Sequence, residues 1–256
     1  MSDVFTLAMA AMPAFLASLV EMVEALTIVL AVGTTRGWRD ALLGTAAALL
    51  ILAAISVGLG TALTTLIPLH LFQVIVGGLL LLFGLRWLRK AILRFAGIIA
   101  LHDEDLIYQR EVAVLRAQGL VQTGVDWVGV TVTCKSVLLE GLEVVFVVLT
   151  LGAHDAAAFH AALWGALAAG LLVLLVGLML HQPLTRVPEN WLKLSVGALL
   201  CSFGVFWGAE GLGAAWPWDA LTLLGILAMF LVVSWGSVRM LQRMLPQGAH
   251  IAARNV

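Results

Sequence analysis

The chain has 256 residues, of which 62% are hydrophobic and 11% charged, and its formal net charge is −1. Soluble domains carry about 45–50% apolar and about 25% charged residues, and a soluble chain of this size could not cover its surface with so few charges. The composition excludes a soluble enzyme, a nucleic-acid binder and a secreted disulfide scaffold, and specifies an integral membrane protein whose two cysteines, Cys134 and Cys201, read as small buried hydrophobes.

A bilayer crossing needs about 20 apolar residues. Seven stretches reach that length, at roughly 6–33, 40–67, 70–94, 127–152, 156–181, 190–210 and 219–245. The opening Met1-Ser2-Asp3-Val4 has no basic segment, so no cleaved signal peptide is expected. The first stretch carries Glu21 and Glu24 at its middle, with Met22 between them and Ser18 and Thr27 a turn to either side. Gly33-Thr34-Thr35-Arg36-Gly37 and Pro68 separate it from the second and third. The segment Leu101 to Val125 then holds His102, Asp103, Glu104, Asp105, Arg110, Glu111 and Arg116. It reads as a polar surface linker with an amphipathic helix at Leu106–Leu120, and Asp103-Glu104-Asp105 reads as a solvated loop or helix cap, or as a cluster that could collect cations. The fourth stretch carries Glu140 and Glu143, with Thr133 and Ser136 nearby, and begins at Asp126, which like Gln73 reads as interfacial. His154, Asp155 and His160 form a small polar group before and within the fifth, and Glu210 ends the sixth. These four could form an entry site or vestibule, or be ordinary loop and end residues.

Counting loops alternately by side places all 14 Lys and Arg residues on one side, from Arg36 and Arg39 through Arg86, Arg89, Lys90, Arg94, Lys135 and Lys193 to Arg239, Arg243 and Arg254. By the positive-inside rule that side is cytoplasmic, with the N-terminus out and the C-terminus in. Trp38, Trp87, Trp127, Trp191, Trp207, Trp216 and Trp218 fall near stretch ends and read as interfacial anchors.

The chain also repeats itself. Val76-Gly77-Gly78 through Phe83-Gly84-Leu85-Arg86-Trp87 matches Val196-Gly197-Ala198 through Phe203-Gly204-Val205-Phe206-Trp207 at an offset of 120, which Pro68 and Pro188 share. Glu21 and Glu24 match Glu140 and Glu143 at an offset of 119, as do Gly33 and Gly152. Three spans per copy is an odd number, so the second copy enters the membrane upside down, as in many secondary transporters. The expected architecture is an all-α membrane protein of seven transmembrane helices, two inverted three-helix repeats plus one additional helix. Residues 1–99 form the first repeat, 100–126 a cytoplasmic linker, 127–213 the second repeat, and 214–256 the seventh helix and tail.

An acidic residue at the bilayer centre costs about 2.5–3.5 kcal/mol on insertion scales, so four total about 10 kcal/mol or more. The nearest basic residue, Lys135, lies more than a turn from Glu140, so no Lys or Arg is an obvious counter-charge. The spacing of three within each pair puts both carboxylates on one helical face. Four converging carboxylates can coexist if a multivalent cation binds or some hold protons. Glu21, Glu24, Glu140 and Glu143 are therefore the expected metal ligands of a transporter, and oxygen ligands suit hard or borderline cations. Ser18, Thr27, Thr133 and Ser136 could complete the shell, relay protons or pack helices, and Met22 is a core side chain or a soft ligand. No catalytic motif or cofactor fingerprint is present, so no enzyme activity and no cofactor are expected.

Seven spans, an outside N-terminus, an inverted repeat and Glu-x-x-Glu in spans 1 and 4 resemble the oxidase-dependent iron permeases, of the iron/lead transporter group in the lysine-exporter superfamily. That family's motif reads Arg-Glu-Gly-Leu-Glu. Span 4 has Leu139-Glu140-Gly141-Leu142-Glu143, and span 1 has Val20-Glu21-Met22-Val23-Glu24, which keeps only the glutamates. The resemblance implies iron (Fe²⁺ or Fe³⁺) as the transported ion, the four glutamates as its ligands, and an oxidase partner. Val20 and Leu139 in place of Arg leave the site more negative, which could favour a divalent ion or demand proton coupling. The sister group of manganese/calcium exchangers carries Glu-x-Gly-Asp-Lys/Arg-Thr/Ser, a string absent here. The functional expectation is an alternating-access transporter of metal cations in the cytoplasmic membrane, with iron first and Mn²⁺ or a similar ion second. The other partners expected are the lipid bilayer and a homodimer built on glycine-rich helices, with no nucleic acid. A carboxylate cage could instead hold the ammonium group of an exported amino compound. A membrane redox or assembly subunit is the third class, and Cys134 and Cys201 do not occupy equivalent repeat positions for a redox relay.

Overall fold

A computed structural model describes residues 2–66, 68–100, 103–119, 124–152, 156–180 and 188–244. Among the described residues there are eight helices and no strand: α1 (Ser2–Thr35), α2 (Trp38–Leu66), α3 (Leu69–Phe95), α4 (Glu104–Ala117), α5 (Trp127–Leu151), α6 (Ala156–Leu180), α7 (Glu189–Gly211) and α8 (Asp219–Met244). Long apolar runs explain seven of them, because a backbone in lipid must satisfy its own polar groups. The polar α4 has a local start signal, the Asp103 carboxylate accepting from the N–H groups of Asp105 and Leu106. Asp126 caps α5 in the same way, through Val128 and Gly129.

Among the described residues, six helices (α1, α2, α3, α6, α7 and α8) are long and apolar enough to cross a membrane. The 25-residue α5 matches them in length but carries Lys135, Glu140 and Glu143. The chain is thus a multi-pass all-α membrane protein, and α5 as a seventh span stays an expectation.

The chain divides into two compact units. The first comprises Met1–Thr64 and Asp103–Val187, the second Thr65–His102 and Pro188–Val256. Each draws helices from both halves of the sequence.

In the first unit α1 runs parallel to α6, since Gly165 sits against Ala11 and Gly177 against Leu26. A side chain at Gly165 would run into the Ala11 carbonyl, and one at Gly44 of α2 into the Val130 carbonyl of α5. These two contacts exchange under the sequence repeat: Ala11 lies 119 residues before Val130, and Gly44 lies 121 before Gly165. Against α5, α1 is antiparallel, with Val32 and Arg36 beside Gly129 and Arg36 ion-paired to Asp126.

The linker helix α4 docks along the end of α1. Leu115 is buried with Ala31, Val32 and Ala41. The Tyr108 hydroxyl lies 2.9 Å from Thr34 Oγ1, and Arg36 Nη2 donates to the Leu115 carbonyl at 2.9 Å.

In the second unit α3 and α7 are antiparallel and in backbone contact. Gly77 faces Gly204 and Gly208, while Gly84 faces Gly197 and Cys201. The pair Gly77–Gly204 becomes Gly84–Gly197 under the offset of 120, and Leu81 and Cys201, related by that offset, meet each other at 3.9 Å. Lys193 is buried, 3.0 Å from Glu189 and over the Trp87 ring at 5.9 Å, and Arg94 reaches Glu189 at 3.3 Å. Among the expected interfacial tryptophans, Trp38, Trp127, Trp191 and Trp218 are exposed, but Trp87 is 2% exposed. It sits under the Lys193 ammonium, because the close α3–α7 approach buries that face. From α8, Trp235 stacks on Trp191 and Gln242 Nε2 donates to the Phe95 carbonyl at 2.9 Å.

Candidate cation site

The antiparallel register of α1 and α5 sets the centre of the first unit. Val32 lies against Gly129, so eleven residues back along α1 is Glu21 and eleven on along α5 is Glu140. At 1.5 Å per residue that is about 16 Å from the contact, close to half of a hydrocarbon core about 30 Å thick. Ligand oxygens of Glu21, Glu24 and Glu140 lie within 4.8 Å of one another. Glu21 is 2% exposed, and Glu24 and Glu140 are half-buried. Glu143, one turn further along α5, is half-buried and outside this group of three. Thus the structure brings together three of the four expected ligands. Glu21 and Glu140, equivalent by the repeat, meet each other where the helices cross.

At 4.8 Å and an effective dielectric near 20, each pair of ionised carboxylates repels by about 3 to 4 kcal/mol. A bound cation, or protons on some of the three, removes that repulsion. Ser18 and Thr133 are fully buried on the two helices, and among the described residues neither hydroxyl has a hydrogen-bond partner. Met22 faces Gly170 of α6 through its sulfur, which makes it a packing side chain.

Away from the carboxylates, the Arg36–Asp126 pair ties the end of α1 to the start of α5. Burial opposes ionisation of Asp126, but the Arg36 hydrogen bond, the Gly129 and Val128 N–H groups and the Arg36 charge outweigh it and hold the carboxyl below its ordinary range. His160 is exposed with its ring edge on Phe159, Glu210 is half-buried, and His154 and Asp155 lie outside the described residues.

One residue read as solvated is not. Glu104 is 6% exposed and hydrogen-bonded through Oε2 to Thr27 Oγ1 of α1. The sequence did hold a signal. Tyr108 and Leu115 lie 4 and 11 residues after Glu104, which places the three on one face of α4, the face that docks on α1.

Residues 5–94, which span α1 to α3 and are 90 of the 256 residues, match a family model described as divalent cation/proton antiporter GDT1. This overturns the resemblance to the oxidase-dependent iron permeases, which are a different family, and removes the basis for an oxidase partner. The physical reason is plain. Glutamates three apart are what any helix needs to present two carboxylates on one face, so that spacing alone does not single out one family. Neither a curated protein nor a solved structure matches the chain. Over its first three helices the chain is similar to divalent cation/proton antiporters of the GDT1 family.

Proposed function

We propose that this protein exchanges a divalent metal cation for protons across a membrane, and that Glu21, Glu24 and Glu140 bind both. The observation that carries the reading is the convergence of the three carboxylates within 4.8 Å at the α1–α5 crossing. The family match over α1 to α3 supports the same substrate class. An all-oxygen donor set favours hard divalent ions such as Mn²⁺ and Ca²⁺. Glu143 follows on α5 as a carboxylate the ion meets on its way in or out. The glycine contacts that exchange under the repeat offsets support two inverted halves, with α5 as a span and the cation held where their first helices cross. Rocking of the halves about that point gives alternating access.

Gradient-driven Mn²⁺ or Ca²⁺ uptake into proteoliposomes tests the reading. Wild type accumulates the ion when the lumen is acid, with protons leaving as the ion enters. Glu140→Gln and Glu21→Gln each abolish uptake and weaken Mn²⁺ binding in detergent at least tenfold. Unchanged binding in both variants rejects the site.

A further inference from the structure

Polar side chains step around α1 in threes: Ser18, Glu21, Glu24, Thr27. Each step of three turns the helix by about 300°, or about 60° backwards. Glu24 therefore lies between Glu21, which meets α5, and Thr27, which meets α4. Thr27 is 1% exposed, with Oγ1 3.0 Å from the Val23 carbonyl and hydrogen-bonded to Glu104 Oε2.

A hydroxyl has one proton and cannot donate to both neighbours at once. With Glu104 ionised, Thr27 donates to it. With Glu104 protonated, the carboxyl donates to Thr27 Oγ1 and Thr27 donates to the Val23 carbonyl. Rotation of one hydroxyl separates the two arrangements, so both protonation states of a buried carboxyl are accommodated without moving a helix.

We propose that Glu104 is the residue through which the cation site trades protons with the α4 side of the protein, using Thr27 as the relay. This rests on the antiport reading above. The Thr27 hydroxyl turns from the Val23 carbonyl toward Glu24, one helical turn away, and gives its own proton to that carboxylate as the proton of the Glu104 carboxyl moves onto Thr27 Oγ1. One O–H bond breaks at Glu104, one breaks and one forms at Thr27 Oγ1, and one forms at Glu24, leaving Glu104 ionised and the cluster one proton richer. The reverse steps discharge a proton when a cation binds. The titratable groups at this level are Glu24 on α1, Asp103, Asp105 and Tyr108 on α4, and Lys135 on α5, which the antiparallel register sets opposite residue 26. Asp103, Asp105 and Lys135 are exposed, and Tyr108 is engaged with Thr34. Glu104 is the buried carboxylate joined to α1.

Purified full-length protein in liposomes, with Mn²⁺ as probe, tests this. Glu104→Gln and Thr27→Val bind Mn²⁺ in detergent within twofold of wild type. Their pH-gradient-driven uptake falls at least tenfold, and the rate no longer rises with the gradient. Thr27→Ser, which keeps the hydroxyl, and Glu104→Asp recover part of the gradient response. Uptake by Glu104→Gln or Thr27→Val that follows the pH gradient as wild type does overturns the relay. Should Glu104→Gln misfold, Thr27→Val decides alone. Loss of Mn²⁺ binding in both variants also overturns it, because the residues would then be part of the cation site. Failure of the antiport reading itself shows elsewhere, as Mn²⁺ binding that survives Glu140→Gln.

Discussion

Single side chains carry charge into places where water cannot screen it, and the structure answers each such charge differently. Glu21 and Glu140 are brought together with Glu24, their ligand oxygens within 4.8 Å of one another. Asp126 is answered by Arg36, with Asp126 4% and Arg36 9% exposed. Because the folded state holds Asp126 below its ordinary range, the pair contributes stability above the unfolded value near 3.8. That contribution is lost as pH falls through the lower, folded value. Asp126→Asn keeps a good helix cap but leaves the Arg36 guanidinium buried without its counter-charge, at a cost of about 3 kcal/mol. Thermal unfolding in detergent at pH 7 should show a lower midpoint for Asp126→Asn, and the gap to wild type should narrow below pH 4. Adding Arg36→Met should restore part of the loss, since the two residues couple directly. An unshifted midpoint would mean that the pair contributes nothing.

At the scale of helices, packing depends on where side chains are missing. Gly77 and Gly78 are neighbours in α3 with opposite surroundings. A Cβ at Gly77 would lie 2.6 Å from the Gly208 Cα and 2.8 Å from the Gly204 carbonyl, whereas one at Gly78 meets nothing within 4 Å. Gly77→Ala therefore forces α3 and α7 apart and should destabilise by about 1–3 kcal/mol. Gly78→Ala should be neutral or stabilise by up to about 1 kcal/mol, the ordinary gain of alanine over glycine in a helix. Melting of the two variants side by side checks this, and equal effects would contradict the α3–α7 contact. The same scale shows what was legible in the sequence. Apolar runs placed the helix ends within two residues, except that α1 begins four residues earlier, at Ser2, because lipid leaves the backbone no other choice. The matched Gly-Gly and Phe-Gly segments marked the surfaces that meet in the second unit. The docking of α4 left only the one-face spacing of Glu104, Tyr108 and Leu115 as a signal, because a polar helix looks much the same whether water or another helix covers one face. Only the exposure of Glu104 separates the two cases, and tertiary contacts decide that.

For the whole chain, the order of charges along the sequence carries a claim about orientation that packing alone does not. Carboxylates three apart in two helices singled out the side chains that converge at the α1–α5 crossing, because intramembrane charge is costly enough to need a reason. They could not say which three would converge. That followed from the α1–α5 register, which pairs Glu21 with Glu140 and leaves Glu143 a turn beyond. Nor did they distinguish the iron permeases from the antiporter family whose model matches residues 5–94, since any helix presents two carboxylates on one face at that spacing. Orientation rests on the basic residues. If α5 spans the membrane, Arg36, Arg86, Arg89, Lys90, Arg110, Arg116, Arg239 and Arg243 share one side with α4, and the positive-inside rule puts that side in the cytoplasm. Alkaline phosphatase, which folds only outside the cytoplasm, should then be inactive when fused after Gly119 or Met244 and active after Gly152 or Gly213. Activity after both Gly119 and Gly152 would remove α5 from the membrane, and with it the buried carboxylate site. The reverse pattern at all four positions would keep the site but invert the protein. Glu104 would then face the outer compartment, and the proton relay would open on the opposite side of the membrane.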